Sequence, residues 1–472
     1  MNLSKSADKR LFSTIGFSLL FAYLLSFLFE GQVFYSLQDY YQINNSFYVL
    51  LAITMHLMGL FSYGFLVKSP KKAKNIMLSG MAISFVITIP FFFSPSFLWA
   101  LGLIIGGYVS GCAVASWGYF LKAFTPKNQR IRTCADVLIL SNIIMIAVNI
   151  VAINLSPHWG LLFASLCLLA GMIFIFNLPI NMEESWADDK KNKPKDSIKK
   201  SLLLLYLFIF VITINSGLMY QVINPAFTHL TGLVSWYWAL PYITALIIVR
   251  NLPTDYKRSN LLYFGMAMII GAFIGFMLLG RNTADYIVVD TLMLGACGIF
   301  DLFWWSIIGE MLDYTENPIK IFGIGLSANV LGVLTGDVLG ISITSMALSP
   351  AEIAVIALTV VCITLVMLPP LNQRLIVLLK NHAYLTAYDH LSEIEREDVL
   401  HSTKTLEELT LREKEVLQQI LSGKSNREIA AALFVSENTI KTHARNIFSK
   451  YDVNSRAELI STLLKNQSTR DH

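Results

Sequence analysis

Near the C-terminus, Lys441, Thr442 and Arg445 stand close together, with Ser436 and Thr439 just before them and Lys450 just after. A guanidinium can pair with both acceptors on a guanine edge, a threonine can read a base edge or pack on a thymine methyl, and a lysine neutralises phosphate. Such chemistry requires that one element present these side chains together. Ser436 is a residue type that caps helices, and the spacing predicts a helix over 437–450, with Ile440, Ala444, Ile447 and Phe448 facing inward. Lys441, Thr442, Arg445 and Ser449 then fall on its outer faces. Net charge does not carry the argument, because residues 406–465 hold nine Lys/Arg against eight Asp/Glu. Placement does.

Two further elements must hold that helix. Thr410-Leu-Arg-Glu413 reads as a capping box opening a helix to about Leu421, whose Val416, Leu417, Ile420 and Leu421 form a buried face and which Gly423 ends. A second helix fits Asn426–Leu433, burying Ile429 and Leu433, and Phe434-Val435 turns the chain into the third. Two short helices joined tightly, the latter basic outside, make a helix-turn-helix pattern.

The run resembles the four-helix DNA-binding domain of the LuxR/NarL family. The residues that carry the resemblance are Leu409–Leu417, Gly423–Ala430 and Val435–Ile447, extended by Lys450, Val453 and Ser455–Leu459. The resemblance implies base contacts from Lys441, Thr442 and Arg445, phosphate contacts from Ser436, Thr439 and Lys450, and double-stranded promoter DNA as a partner. It also implies a homodimer on DNA, with residues near Ala457–Leu463 either at the dimer contact or in the domain's own core. Glu413 and Glu415 fall to capping and internal polar contacts, and Tyr451 stands where the family commonly has Leu.

The remainder of the 472-residue chain has a different character. Charged residues are 14% of the whole, well below the quarter typical of soluble proteins, hydrophobic residues are 55%, and mean hydropathy is +0.57. These values exclude a soluble enzyme and make the lipid bilayer a partner. Twelve apolar spans are expected, at about 11–29, 47–67, 75–93, 97–121, 133–153, 159–178, 201–222, 230–249, 259–280, 286–308, 321–345 and 350–371. Basic residues cluster in the breaks at 68–74, 122–132, 181–200 and 250–258, whereas the alternate breaks show only Arg281 clearly. By the positive-inside rule both termini face the cytoplasm, in a bacterial cytoplasmic membrane.

Polar groups inside these spans are candidates for a solute. Asp301 and Asp337 can line a cavity, accept a ligand's donor or titrate, or they can hydrogen-bond across helices; Asn215, Gln221 and Asn329 share the same two readings, as do His56, Asn142 and Asn149. Asp290 is expected near the outer boundary and Asp136 near the cytoplasmic one. Gly332, Gly336 and Gly340, and Gly102, Gly106, Gly107 and Gly111, are read as close-packing faces. Trp99, Trp117, Trp159, Trp304 and Trp305 are expected in the interfacial belt, with Trp236 and Trp238 flanking a ligand or packing between helices. The five cysteines, Cys112, Cys134, Cys167, Cys297 and Cys362, lack metal-type spacing and read as packing residues. No metal, cofactor or catalytic constellation is expected.

Six spans, a charged midpoint and six more spans resemble the major facilitator superfamily. Its loop after the second helix is matched in part by Gly64-Phe-Leu-Val-Lys68-Ser-Pro-Lys71-Lys72, with Lys68 in place of the family's acidic residue. That resemblance implies two six-helix bundles around a central cavity. The expected architecture is all-α: a twelve-helix transmembrane domain over 1–380, a cytoplasmic linker over 381–405 and a LuxR-type domain over 406–472. The expected function is a membrane-anchored transcriptional regulator controlled by a small-molecule effector or membrane signal, with an ion-coupled solute transporter bearing a DNA-binding tail as the competitor.

Overall fold

The computed structural model describes residues 2–29, 31–43, 46–67, 69–126, 129–179, 195–234, 236–252, 258–312, 317–346, 352, 355–371, 373, 409–421, 424, 426–453 and 459. Contacts divide the chain into one unit of residues 1–186 and 205–367 and another of 187–204 and 368–472. The 381–405 connector and most of the 181–200 segment lie outside the described residues.

The first unit is built of helices α1 (Asn2–Tyr23), α2 (Gln32–Tyr40), α3 (Ser46–Leu66), α4 (Pro70–Thr88), α5 (Phe97–Phe124), α6 (Arg130–Asn154) and α7 (Pro157–Phe176), then α8 (Lys195–Leu218), α9 (Thr231–Val234), α10 (Ala239–Arg250), α11 (Arg258–Leu278), α12 (Thr283–Met311), α13 (Pro318–Ser345) and α14 (Val355–Leu371). Their starts are legible in local chemistry. Ser69, Ser96 and Ser156 cap α4, α5 and α7, and Pro70 and Pro157 stand in first turns, where no N–H is needed. Asn282 and Asp285 form a reciprocal capping box on α12, with bonds of 3.0 and 3.2 Å.

Among the described residues, ten helical stretches are long and apolar enough to cross a membrane, and α10 and α14 are shorter apolar helices. The regular set of twelve long spans is therefore corrected. The expected span at 230–249 is broken: α9 has four residues, a turn follows at Trp236–Trp238, and α10 has twelve. At 1.5 Å per residue α10 rises about 18 Å, short of the roughly 30 Å of hydrocarbon. Pro241 explains the late start, since it is tolerated only in the first turn. The first helix of each half also departs from a uniform α-helix. α1 passes into a π-turn at Leu24–Leu28 and α8 into another at Met219–Ile223.

Close approach is set by glycine at two places. On α5, Gly107 and Gly111 lie against the Ala52 and His56 carbonyls of α3, and on α13, Gly336 lies against Ile214 and Gly217 of α8; a Cβ at any of these would collide with backbone. The expected interfacial belt is also corrected for four of its five tryptophans. Trp99, Trp117, Trp304 and Trp305 are buried, while Trp159 is exposed. Their indole N–H groups find partners inside, Trp99 on Pro90 O (3.1 Å) and Trp117 on Ser13 Oγ (3.1 Å), and Trp117 stacks on Phe17 at 4.2 Å. Cys112, Cys134 and Cys167 are buried as expected of packing residues, whereas Cys362 is exposed.

In the second unit α15 (Leu411–Leu421), α16 (Asn426–Ala432) and α17 (Glu437–Lys450) enclose a small core of Val416, Leu417, Ile420, Leu421, Ile429, Ile440, Ala444 and Ile447. Leu459 joins it, as do Tyr451 and Val453. The rest of the expected fourth helix and dimer segment lies outside the described residues.

Candidate nucleic-acid interface and solute cavity

The cap foreseen at Ser436 is present: Thr439 N donates to Ser436 Oγ at 3.1 Å, and the two hydroxyls lie 2.8 Å apart. The preceding turn is tight enough to hold Phe434 in the left-handed region at φ 55°, with its ring 95% exposed. From this start Ser436, Thr439, Lys441, Thr442 and Arg445 all emerge on exposed surface. Lys441 Nζ is 2.9 Å from Glu437 Oε1, one turn back, and Thr442 Oγ1 donates to Asn438 O at 3.1 Å. Arg445 and Lys441 border a shallow depression with Asn426 and Phe448. The five residues thus share one accessible stretch of a single helix.

Lys450 sits differently. Its ammonium is 2.9 Å from Glu413 Oε2, and the carboxylate side chain is only 4% exposed. The same oxygen accepts from Thr410 N at 2.9 Å and Thr410 Oγ1 at 3.0 Å, while Glu413 N donates back to Thr410 Oγ1 at 3.3 Å, completing the capping box. Burial alone would raise the Glu413 carboxyl, but the Lys450 ammonium and the two Thr410 donors outweigh it and hold it below its ordinary value. Lys450 is a strut between the last turn of α17 and the first turn of α15, a role that its position among surface lysines did not announce. Arg412 was also missed. Its guanidinium reaches Leu433 O at 2.8 Å and Glu415 at 2.6 Å, tying α15 to the end of α16. Burial in the core also raises the Tyr451 phenol.

In the first unit a cavity of about 340 Å³ lies between the helices of the two halves, lined among others by Gln32, His56, Asn142, Asn149, Trp238, Tyr242, Asp301 and Asn329. Asp301 accepts from Tyr242 Oη at 2.7 Å and from Trp304 Nε1 at 3.1 Å. His56 Nδ1 pairs with Ser110 Oγ at 3.0 Å. Of the five expected cavity residues, Asp301 and Asn329 line this space. Asp337, Gln221 and Asn215 are not among its lining: Asp337 and Gln221 meet at 3.4 Å where α13 packs on the end of α8, and Asn215 is buried within α8. The close packing around Gly217 and Gly336 keeps that junction solid. Asp290, expected near the boundary, is buried, and Asp136 pairs with Arg250 at 2.6 Å.

The two halves are clasped at the end that carries the basic breaks. Asn317 Nδ2 donates to Gly64 O and Val67 O, both at 2.8 Å, while its Oδ1 accepts from Lys320 N at 3.1 Å. One amide therefore closes the C-terminal carbonyls of α3 and caps the start of α13. Arg130 donates to Gly309 O at 2.8 Å nearby. The acidic residue that the family's loop would supply is replaced by Lys68, which lies outside the described residues. No group of three or more His, Cys, Asp or Glu among the described residues is placed to hold a metal.

Residues 407–463 match the model of the bacterial regulatory proteins, luxR family. An uncharacterized transcriptional regulatory protein of Bacillus subtilis, YhcZ, is 57% identical over 51 residues, which are 11% of this chain and 24% of that protein. The CsgBAC operon transcriptional regulatory protein of Escherichia coli is 53% identical over 53 residues, 11% and 24% of the two chains, and a nitrate/nitrite response regulator homolog of Haemophilus influenzae is 52% identical over 56, or 12% and 27%. The chain thus spans about a quarter of the length of these relatives. Among solved structures, the human organic anion transporter MFSD10 superposes with a TM-score of 0.59 at 13% identity, covering 77% of this chain and 99% of its own. The proton:xylose symporter XylE gives 0.62 at 13% identity, covering 78% and 95%. A LuxR-type helix-turn-helix domain is fused to a polytopic helical domain with a fold close to that of major facilitator superfamily transporters. Neither matched family is one of enzymes.

Proposed function

We propose that this chain is a small-solute transporter that carries a DNA-binding regulatory tail. The observation that carries the reading is the cavity, largely apolar with a few polar groups, between two helical halves that Asn317 clasps at one end, within a fold spanning nearly the whole length of a transporter. Solute handling of this kind needs two states that differ in access to the cavity, and a clasp confined to one end is what such an equilibrium acts upon. Uptake of a chemically broad solute panel into proteoliposomes, with and without an ion gradient, tests it. Gradient-dependent accumulation is expected, and none across the panel defeats the transport reading.

A second reading, in which the membrane domain senses solute and the tail regulates promoters, draws on the more than 50% identity of the tail to transcriptional regulators across the recognition helix. In both readings Lys441, Thr442 and Arg445 contact bases, Ser436, Thr439 and Lys450 approach phosphates, and two copies occupy related half-sites. Both also place the termini in the cytoplasm, with 1–380 in the membrane, 381–405 as connector and 406–472 on DNA. Selection from genomic fragments by the full-length protein in membranes tests the tail. Enrichment of one sequence class is expected, and repeating the titration with solute then separates a sensor, whose affinity changes, from a tether.

A further inference from the structure

The lining of the cavity has one sign. Among the described residues around it there is one carboxylate, Asp301, and neither Lys nor Arg. Asp301 already accepts from Tyr242 and Trp304, yet a carboxylate has room for about four donors, so it can take more. Asn142, Asn149 and Asn329 add uncharged amides to the lining. Nearby walls are aromatic, with Phe21, Tyr35, Trp238 and Trp305. Buried acceptors, a carboxylate and π-faces complement a group that has several N–H donors, no lone pair and a positive charge. A carboxylate or phosphate ligand would meet neither Lys nor Arg there, the His56 ring being paired with Ser110, and would bring a second negative charge beside Asp301.

We infer that this cavity takes a small organic ammonium compound with an apolar or aromatic body, its charged nitrogen on Asp301. The inference rests on the reading of the membrane domain as a solute-handling device and adds the chemical class of solute. It runs opposite in charge to the organic anions for which the human transporter of similar fold is named. The cavity's volume of about 340 Å³ lies at the small end of ligand sites, suiting a compact monoamine.

Three probes of nearly equal shape separate the possibilities: 2-phenylethylammonium, 2-phenylethanol and 3-phenylpropionate. Binding is measured on the full-length protein in lipid nanodiscs by calorimetry, with tryptophan fluorescence as a second readout because Trp238 and Trp305 face the cavity. The ammonium is expected to bind about tenfold tighter than the alcohol, the size of one charge-assisted hydrogen bond, and the carboxylate is expected not to compete. Asp301→Asn should bring the ammonium to within about twofold of the alcohol, whereas Asp337→Asn, outside the cavity, should preserve the preference. A carboxylate that binds as well as the ammonium, failure of all three probes to bind, or an ammonium preference that survives Asp301→Asn overturns the inference. If Asp301→Asn does not fold, the wild-type ranking of the three probes still decides the class. Uptake of the broad solute panel by the wild-type protein in proteoliposomes keeps the two failures apart, since accumulation of some solute with no ammonium preference removes the ligand class alone, whereas no uptake across the panel removes the transport reading.

Discussion

The ammonium of Lys450 and the carboxylate of Glu413, 37 residues apart in sequence, lie 2.9 Å from one another and bind the end of α17 to the beginning of α15. Removing the lysine strands a carboxylate that is almost fully buried, which costs more than the pair itself contributes.

Lys450→Ala is therefore expected to destabilise the C-terminal domain by about 2–3 kcal/mol. Hydrogen exchange of α17 amides in the full-length protein checks this. Exchange unchanged from wild type would mean that the pair is dispensable and would return Lys450 to the surface charges available for phosphate.

The same pair sets an acid limb. Because the Glu413 carboxyl is held below its ordinary value, the charged form is favoured by folding; its stabilisation is fully present above the unfolded glutamate pKa of about 4.3 and is lost as pH falls through the lower folded value. Glu413→Gln should flatten the loss of α17 protection over that acid range while lowering protection at neutral pH. A variant with the wild-type acid profile would assign the limb to another group.

Arg445 is exposed on α17 beside Lys441, and the proposed role of its guanidinium is to pair with a guanine edge. Arg445→Ala is expected to reduce discrimination among operator variants by roughly 1–3 kcal/mol at one position while leaving non-specific binding nearly intact. Glu437→Gln, which releases Lys441 from its partner at 2.9 Å, should instead raise affinity for all duplexes and steepen the salt dependence. Titrations at several salt concentrations separate these effects, and equal loss across all sequences for Arg445→Ala would remove it from base reading.

Asn317 offers a test of the clasp. Asn317→Ala removes both 2.8 Å bonds to α3 and the cap of α13, so the basic-loop end should open more often. Phe322, buried at that end, can report this: a Phe322→Cys thiol should be alkylated several-fold faster in the Asn317→Ala background. Unchanged labelling would show that other contacts, such as Arg250 with Asp136, hold the end closed.

How far the sequence speaks depends on the range of the interaction. The limits of α17, the Ser436 cap and the Thr410–Glu413 box were legible because each is decided by residues three or four apart. The ion pair across 37 residues and the reach of Arg412 to Leu433 were not, because nothing local distinguishes a lysine that folds inward from one that faces solvent. In the membrane unit, composition located the apolar stretches, but the indoles misled. An amphipathic ring suits the bilayer interface and equally suits a bundle interior that offers Ser13 or Pro90 as acceptor. Asp301 and Asp337 looked alike in sequence for a similar reason: whether a carboxylate meets a cavity or a packed junction depends on the glycines of the facing helix.

The π-turns at Leu24–Leu28 and Met219–Ile223 have a consequence for phase. Each widens the last turn of its helix by about one residue, so the side chains within it fall out of step, by up to roughly 100°, with the α-helix before it. A helical wheel drawn through Leu28 from the start of α1, or through Ile223 from the start of α8, therefore names the wrong face at its end. Deleting a single residue within either turn would restore the ordinary pitch and turn Leu24 and Leu25, or Met219, away from the cavity wall that they help to form. The chain stores this odd residue twice, once at the head of each half.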